Sequence, residues 1–386
     1  MILANECRRR RGCRIAFMVL AGFALLRAQT TPDQDLTGLS VEELARTKVY
    51  SASRHLEAPR EAPSAVSIIT SEEIRRYGWR TLSDALNSLR GFYTSYDRNY
   101  SYLGVRGFLR AGDYNSRILL LVNGHRLNDN VYDSAQIGTE FPIDLDQIDR
   151  IEIVRGPSSS LFGSNAVFGV INVITRKAAG NSIEFSGDTS SYMGRTGRIS
   201  GSFQKDRVSG VVSASMYRND GASQLFFPEF NAPQTNGGMA DNLDGDRYDH
   251  AFADLQYKDL RLQGAFSTRT KLLPTAAFDT VFNQPGTRTT DARGYFDASY
   301  HRALDPHTDF DLRGYYDAYR YDGTYMTANG SGAAIPNLDY GLADWIGIET
   351  TISRSLGRHR ITAGADYEYN FRVDQKNYNL GSAPAV

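Results

Sequence analysis

The sequence predicts an α+β domain followed by antiparallel transmembrane β-barrel strands, with the barrel incomplete. Three observations carry this. Helix and strand signals alternate up to about residue 177, and only strand-like segments follow. Those later segments alternate apolar and polar residues over lengths nearer the roughly 9–11 residues of a tilted membrane strand than the roughly 5–6 of a soluble one. The chain also carries 23 Tyr, 19 Phe and 35 Gly, and after Leu26 it has no apolar run long enough for a transmembrane helix.

Residues 1–28 read as a secretion signal. Arg8 to Arg11 and Arg14 form a positive start, Ile15 to Leu26 an apolar stretch of 12 residues, and Ala28 a small residue at its end. A helix needs roughly 20 apolar residues to span a bilayer, so this stretch is too short. Cys7 and Cys13 both fall inside the segment. An exported chain cleaved after it has no cysteine for disulfides, thiolate chemistry or metal binding. The rest holds 37 Lys and Arg against 43 Asp and Glu, a mildly acidic balance that does not fit a nucleic-acid partner.

Residues 29–54 are polar and contain one short helix signal, Ser40 with Glu43. Thr47-Lys48-Val49-Tyr50-Ser51-Ala52 then reads as extended and exposed. In the compact domain, residues 55–177, Ala65 to Thr70 is a strand by its β-branched content. Thr70 with Glu73, and Thr81 with Asp84, are capping boxes that open two short helices, ended by Gly78 and Gly91. Ile118 to Val122 is a buried strand entering an Asn123-Gly124 hairpin turn; Ile148–Val154 and Val170–Thr175 are further strands. Over residues 178–386 about nine segments follow period two, beginning with Ile183, Phe185 and Gly187 on one face and ending with 358–371.

Residues 47–177 resemble the plug domain of TonB-dependent outer-membrane receptors. The densest match runs from Ile151-Glu152 through Arg155-Gly156-Pro157, Ser160-Leu161-Phe162-Gly163, Ala166 and Gly169 to Ile171-Asn172 and Thr175. Phe162 stands where the family usually has Tyr, and Phe168 where it usually has Gly. Leu103-Gly104-Val105-Arg106-Gly107-Phe108, Leu120 to Arg126, and Ala62 to Ile74 match as well. The resemblance implies a plug filling a barrel of about 22 strands. It also implies an outer-membrane location, an energy-coupling TonB-type partner in the inner membrane, and uptake of a scarce large ligand such as an iron–siderophore, cobalamin or oligosaccharide. With only about nine strands after the plug, the chain reads as the front part of a longer receptor.

The resemblance makes Thr47 to Ala52 the TonB-box candidate. An extended stretch there can add to a partner's sheet edge. Arg106, Glu152 and Arg155 are candidates to lock the plug to the inner barrel wall. Gly104, Gly107, Gly156, Pro157, Gly163, Gly169 and Asn172 form the plug's structural motif, its glycines allowing tight turns or close backbone approach. Tyr96, Arg98, Tyr100, Tyr102, Arg110, Tyr114 and Tyr132 lie in loops that face outward in the family. They suit a bulky amphipathic ligand through stacking and cation–π contact.

No nucleophile elbow, phosphate loop or His-Glu-x-x-His occurs, and the six His lack ligand spacing. The expectation is therefore no catalytic residue, cofactor or metal. Asp241 to Asp246 only superficially resembles a calcium loop, since Leu243 takes a ligand position. The competing readings are a surface binding or adhesion protein that keeps the plug without transporting, and, on weaker grounds, an envelope enzyme.

Overall fold

The computed structural model describes residues 65–330 and 332–380. The secretion signal, the 29–54 segment with Thr47–Ala52, and residues 55–64 lie outside the described residues.

The mixed domain begins with β1 (Ala65–Thr70), α1 (Ser71–Tyr77) and α2 (Leu82–Asn87). Both helices start at the capping boxes read from the sequence. The Thr70 and Thr81 hydroxyls accept the N–H of Glu73 and Asp84, whose carboxylates accept the caps' own N–H groups. Gly78 ends α1 with φ 67°, whereas α2 stops at Ser88, before Gly91. There follow β2 (Phe92–Tyr96), β3 (Ser101–Val105), β4 (Ile118–Val122), β5 (His125–Arg126), β6 (Ile148–Arg155), α3 (Ser159–Phe162) and β7 (Gly169–Thr175). The central sheet has the order β1-β6-β7-β4-β5, with only the β4–β7 pair parallel. Every residue of β4 is buried, which is why its sequence is continuously apolar.

Nine long strands form the second sheet. They are β8 (Ser182–Ser190), β9 (Gly194–Lys205), β10 (Val208–Asn219), then, after the short pair β11 (Gln224–Phe226) and β12 (Met239–Asp241), β13 (Asp246–Tyr257), β14 (Leu260–Leu272), β15 (Arg288–Asp305), β16 (Thr308–Ala328), β17 (Ala334–Leu356) and β18 (His359–Asn379). Each pairs antiparallel with the next in chain order, the β11–β12 pair standing aside, and β8 and β18 are the two edges of the open sheet. Two-residue turns join β9–β10, β13–β14, β15–β16 and β17–β18 at one end. The longer inserts, 220–245 and 273–287, lie at the other, the arrangement of outer-membrane barrels. β16 and β17 reach 21 and 23 residues, longer than the segments read from alternation. Alternation fades where both faces of a strand are wet, while backbone pairing continues.

This sheet is polar inside and apolar outside. Along β14, Gln263, Ser267, Arg269 and Lys271 are buried, while Phe266 between them is 53% exposed. Ile183, Phe185, Met216, Phe296, Ile346 and Ile348 are likewise exposed on the outer face. A soluble protein of this size would reverse that order; lipid accounts for it. The mixed domain sits against the polar face. Its core, built on Leu82, Leu86, Leu120, Ile151 and Ile171, extends to Phe252, Ala265 and Tyr295 of the wall.

Candidate functional site

The hairpin between β4 and β5 joins the two parts. Asn123 and Gly124 both take positive φ, at 50° and 80°, as the tight turn requires. The turn presents its carbonyls to the wall, where Arg313 on β16 donates to both. The Asn123 amide donates to Thr175 Oγ1 and to wall Gln263, each at 2.9 Å. Asn172, one of the motif residues, accepts the Gly124 N–H at 3.0 Å and so ties β7 to the hairpin.

The next residue, His125, is fully buried between two wall carboxylates. Its ring nitrogens lie 3.1 Å from Asp297 and 3.1 Å from Asp317, and its ring stacks on Tyr295 at 4.2 Å. Burial alone would lower the imidazole pKa. The charges and hydrogen bonds of Asp317 and Asp297 outweigh it and hold the group above its ordinary value. Arg293 and Arg313 in turn pair with Asp317 and Asp297.

Nearer the long-loop end the contacts stay polar. Buried Arg269 donates to the Asn99 carbonyl at 2.8 Å and pairs with Asp246 at 3.0 Å. Thr139 donates to Asp246 at 2.7 Å, and Tyr100 to Asp291 at 2.9 Å. Above them a cavity of about 580 Å³ opens between domain and wall, within the range of small-ligand sites. Tyr100, Tyr102, Tyr114 and Tyr132 line it from the domain. Burial pushes all four phenols above their ordinary pKa, so they remain hydroxyl donors at neutral pH.

The sequence-nominated ligand residues therefore divide. Those four tyrosines meet, with Tyr114 edge-on to Tyr100 at 5.8 Å and Tyr132 edge-on to Tyr321 at 5.9 Å. Tyr96, Arg98 and Arg110 do not line the cavity. Tyr96 is half exposed, Arg110 is exposed, and Arg98 reaches the wall to pair with Asp244 at 3.3 Å. Sequence reading missed the wall's share, chiefly Tyr319, Tyr321, Tyr325, Asp291 and Asp339. The signal was present. From Asp317 to Tyr325 the alternate positions carry Asp, Tyr, Tyr, Gly and Tyr, a polar-aromatic face that points inward.

The lock candidates sit elsewhere. Glu152 is buried and takes the Arg150 guanidinium at 2.8 Å. Arg155 donates to the Arg90 carbonyl at 3.3 Å, and Arg106, Arg155 and Arg90 line a second cavity of about 490 Å³. Among the described residues the ion pairs to the wall come instead from Arg80, Arg98, Glu140, Asp146 and His125. Among the motif glycines, Gly107, Gly156 and Gly163 take positive φ, and Gly104 lies over the Tyr93 ring. Pro157 is exposed at the turn into α3. Gly169 is a matter of space, because a Cβ there would lie 2.6 Å from the Val154 carbonyl oxygen. Replacing Gly169 with Val is expected to part β6 from β7 and lower stability by about 3 kcal/mol, at the upper end of overpacking costs. Thermal unfolding in detergent checks it; a change under about 1 kcal/mol would contradict it.

A mixed domain seated through polar contacts against an inside-polar, outside-apolar sheet defines a plug-bearing outer-membrane barrel protein. Residues 58–170 match the family model described as TonB-dependent Receptor Plug Domain. Over those residues the chain carries the plug domain of TonB-dependent receptors. A stretch of 135 residues is 33% identical to the iron-regulated outer membrane virulence protein of Vibrio cholerae, covering 34% of this chain and 20% of that protein. In fold the chain is similar to the ferric yersiniabactin uptake receptor FyuA of Yersinia pestis, at 17% identity and TM-score 0.61, over 84% of this chain and 50% of that one. It is also similar to the pyoverdine outer membrane receptor FpvA of Pseudomonas aeruginosa PAO1, at 15% identity and TM-score 0.66, over 88% and 51%. The chain thus spans about a fifth of the curated relative it matches and about half of these solved receptors.

Proposed function

We propose that this chain supplies the plug and the plug-facing wall of a receptor for energy-coupled uptake of a scarce large ligand. An iron–siderophore is the first choice, ahead of a cobalamin-like ligand or an oligosaccharide. The observation that carries this is the cavity at the long-loop end, lined jointly by four plug tyrosines and by wall residues. Moving the plug would open the floor of that cavity. The polar character of the interface supports such movement, since its hydrogen bonds can be exchanged for bonds to water, which an apolar interface could not do. The printed names of FyuA and FpvA, an uptake receptor and a pyoverdine receptor, favour an iron chelate.

In this reading Thr47–Ala52 is the stretch a TonB-type protein captures as an added strand and pulls. Arg106, Glu152 and Arg155 remain the candidates to lock the plug. Deleting Thr47–Ala52 is expected to abolish uptake of a radio-iron chelate while leaving its binding to isolated outer membranes intact. Loss of binding together with uptake would overturn the coupling role.

A further inference from the structure

The cavity has a one-sided charge. Among the described residues its lining includes the carboxylates of Asp97, Glu140, Asp279, Asp291 and Asp339, and no Lys, Arg or His. Among the described residues none of the four aspartates makes an ion pair. Asp97 accepts from the backbone of Asn99 and Tyr100 and from the Tyr102 hydroxyl. Asp291 accepts from the Tyr100 and Tyr319 hydroxyls. Glu140 is only 3% exposed; one oxygen accepts the Gly138 N–H, and Oε2 has no hydrogen-bond donor. Its nearest cation, Arg269, stands 4.0 Å away and is already committed to Asp246 at 3.0 Å. The other nearby cations are engaged too, since Arg98 and Lys271 both pair with Asp244. Clustered carboxylates in a walled cleft focus a negative potential into it. Seven tyrosines stand among the lining, and their ring faces also attract cations.

We propose that this cavity takes a ligand of net positive charge. An ammonium or guanidinium group would sit by Asp291 and Asp339, and an apolar or planar portion would lie on the tyrosine rings. Polyanionic chelates are rejected by the same field. A neutral sugar would satisfy the hydroxyls and amides but leave the carboxylates uncompensated, so the charge favours a cation. The inference rests on the receptor reading and narrows its ligand.

Binding to the full chain in detergent micelles, followed by equilibrium dialysis, tests it with four probes. They are a linear ferric trihydroxamate with a free amine (net positive), its N-acetylated neutral form, a ferric tricatecholate (trianionic), and a neutral malto-oligosaccharide. The amine-bearing chelate is expected to bind at least tenfold tighter than its acetylated form and the catecholate. Asp339→Asn, alone or with Asp291→Asn, is expected to bring that ratio toward one. Asp339 makes no hydrogen bond to the plug among the described residues, so its single variant stays informative where the double variant fails to fold. Equal or tighter binding of the catecholate or the sugar, or a ratio unmoved by Asp339→Asn, overturns the charge inference and leaves the receptor reading standing. Binding of none of the four overturns the receptor reading, and this inference with it.

Discussion

Replacing Arg269 with Met is expected to destabilise the docked plug by about 4 kcal/mol, within the range for removing one partner of a buried ion pair. The guanidinium is almost wholly enclosed and holds four things at once. It pairs with Asp246, stands by Glu140, donates to the Asn99 carbonyl, and lies 5.7 Å over the Tyr100 ring. Methionine fills the volume but leaves buried Glu140 and half-buried Asp246 without their nearest cation and the Asn99 carbonyl without its donor. The damage should centre on residues 97–102, which Arg269 anchors through Asn99. Limited proteolysis should therefore cut that loop in the variant and spare it in the parent. Arg269→Lys should recover only part of the loss, because an ammonium cannot reproduce the planar fork. A melting profile and cleavage pattern equal to the parent's would show that the pair contributes nothing to docking.

His125→Leu is expected to cost about 3 kcal/mol, the lower end of the same range, because Arg293 and Arg313 still neutralise Asp317 and Asp297. The groups facing the imidazole are Arg293, Tyr295 and Asp297 from β15 and Arg313, Tyr315 and Asp317 from β16. Its raised pKa gives the docking a pH dependence of definite sign. A group that binds its proton more tightly in the folded state stabilises that state fully below its free pKa, roughly 6.5, and the stabilisation fades as pH rises through the higher native value. Plug release by denaturant should therefore become easier above about pH 6.5 in the parent, and His125→Asn should flatten that slope. Release that becomes harder with rising pH, or an equal slope in the variant, would refute the assignment.

The local elements were legible because their causes are local. Thr70 with Glu73 and Thr81 with Asp84 state where helices begin, and Asn123-Gly124 states where a chain must turn back. The nine barrel strands could be found because one face meets lipid and the other does not, which writes period two into the chain. Four of the seven nominated ligand residues meet at the cavity because aromatic-polar loops on a plug have few other surfaces to face.

Pairing across long separations was not legible. His125 lies 172 residues from Asp297 and 192 from Asp317, and nothing in the residues around it separates it from a surface histidine. Arg98 looked like a ligand group because it lies among tyrosines, yet the fold places Asp244 within its reach. By itself, then, the sequence determined where the two capped helices start, where the chain turns back at Asn123-Gly124, and which stretches form the nine alternating strands. These depend on burial patterns and short-range hydrogen bonds encoded within a few residues. The tertiary structure decided which charges meet across the plug–wall interface and which tyrosines share one cavity. Those depend on strand register and on where the plug comes to rest, and both follow from the sum of many contacts.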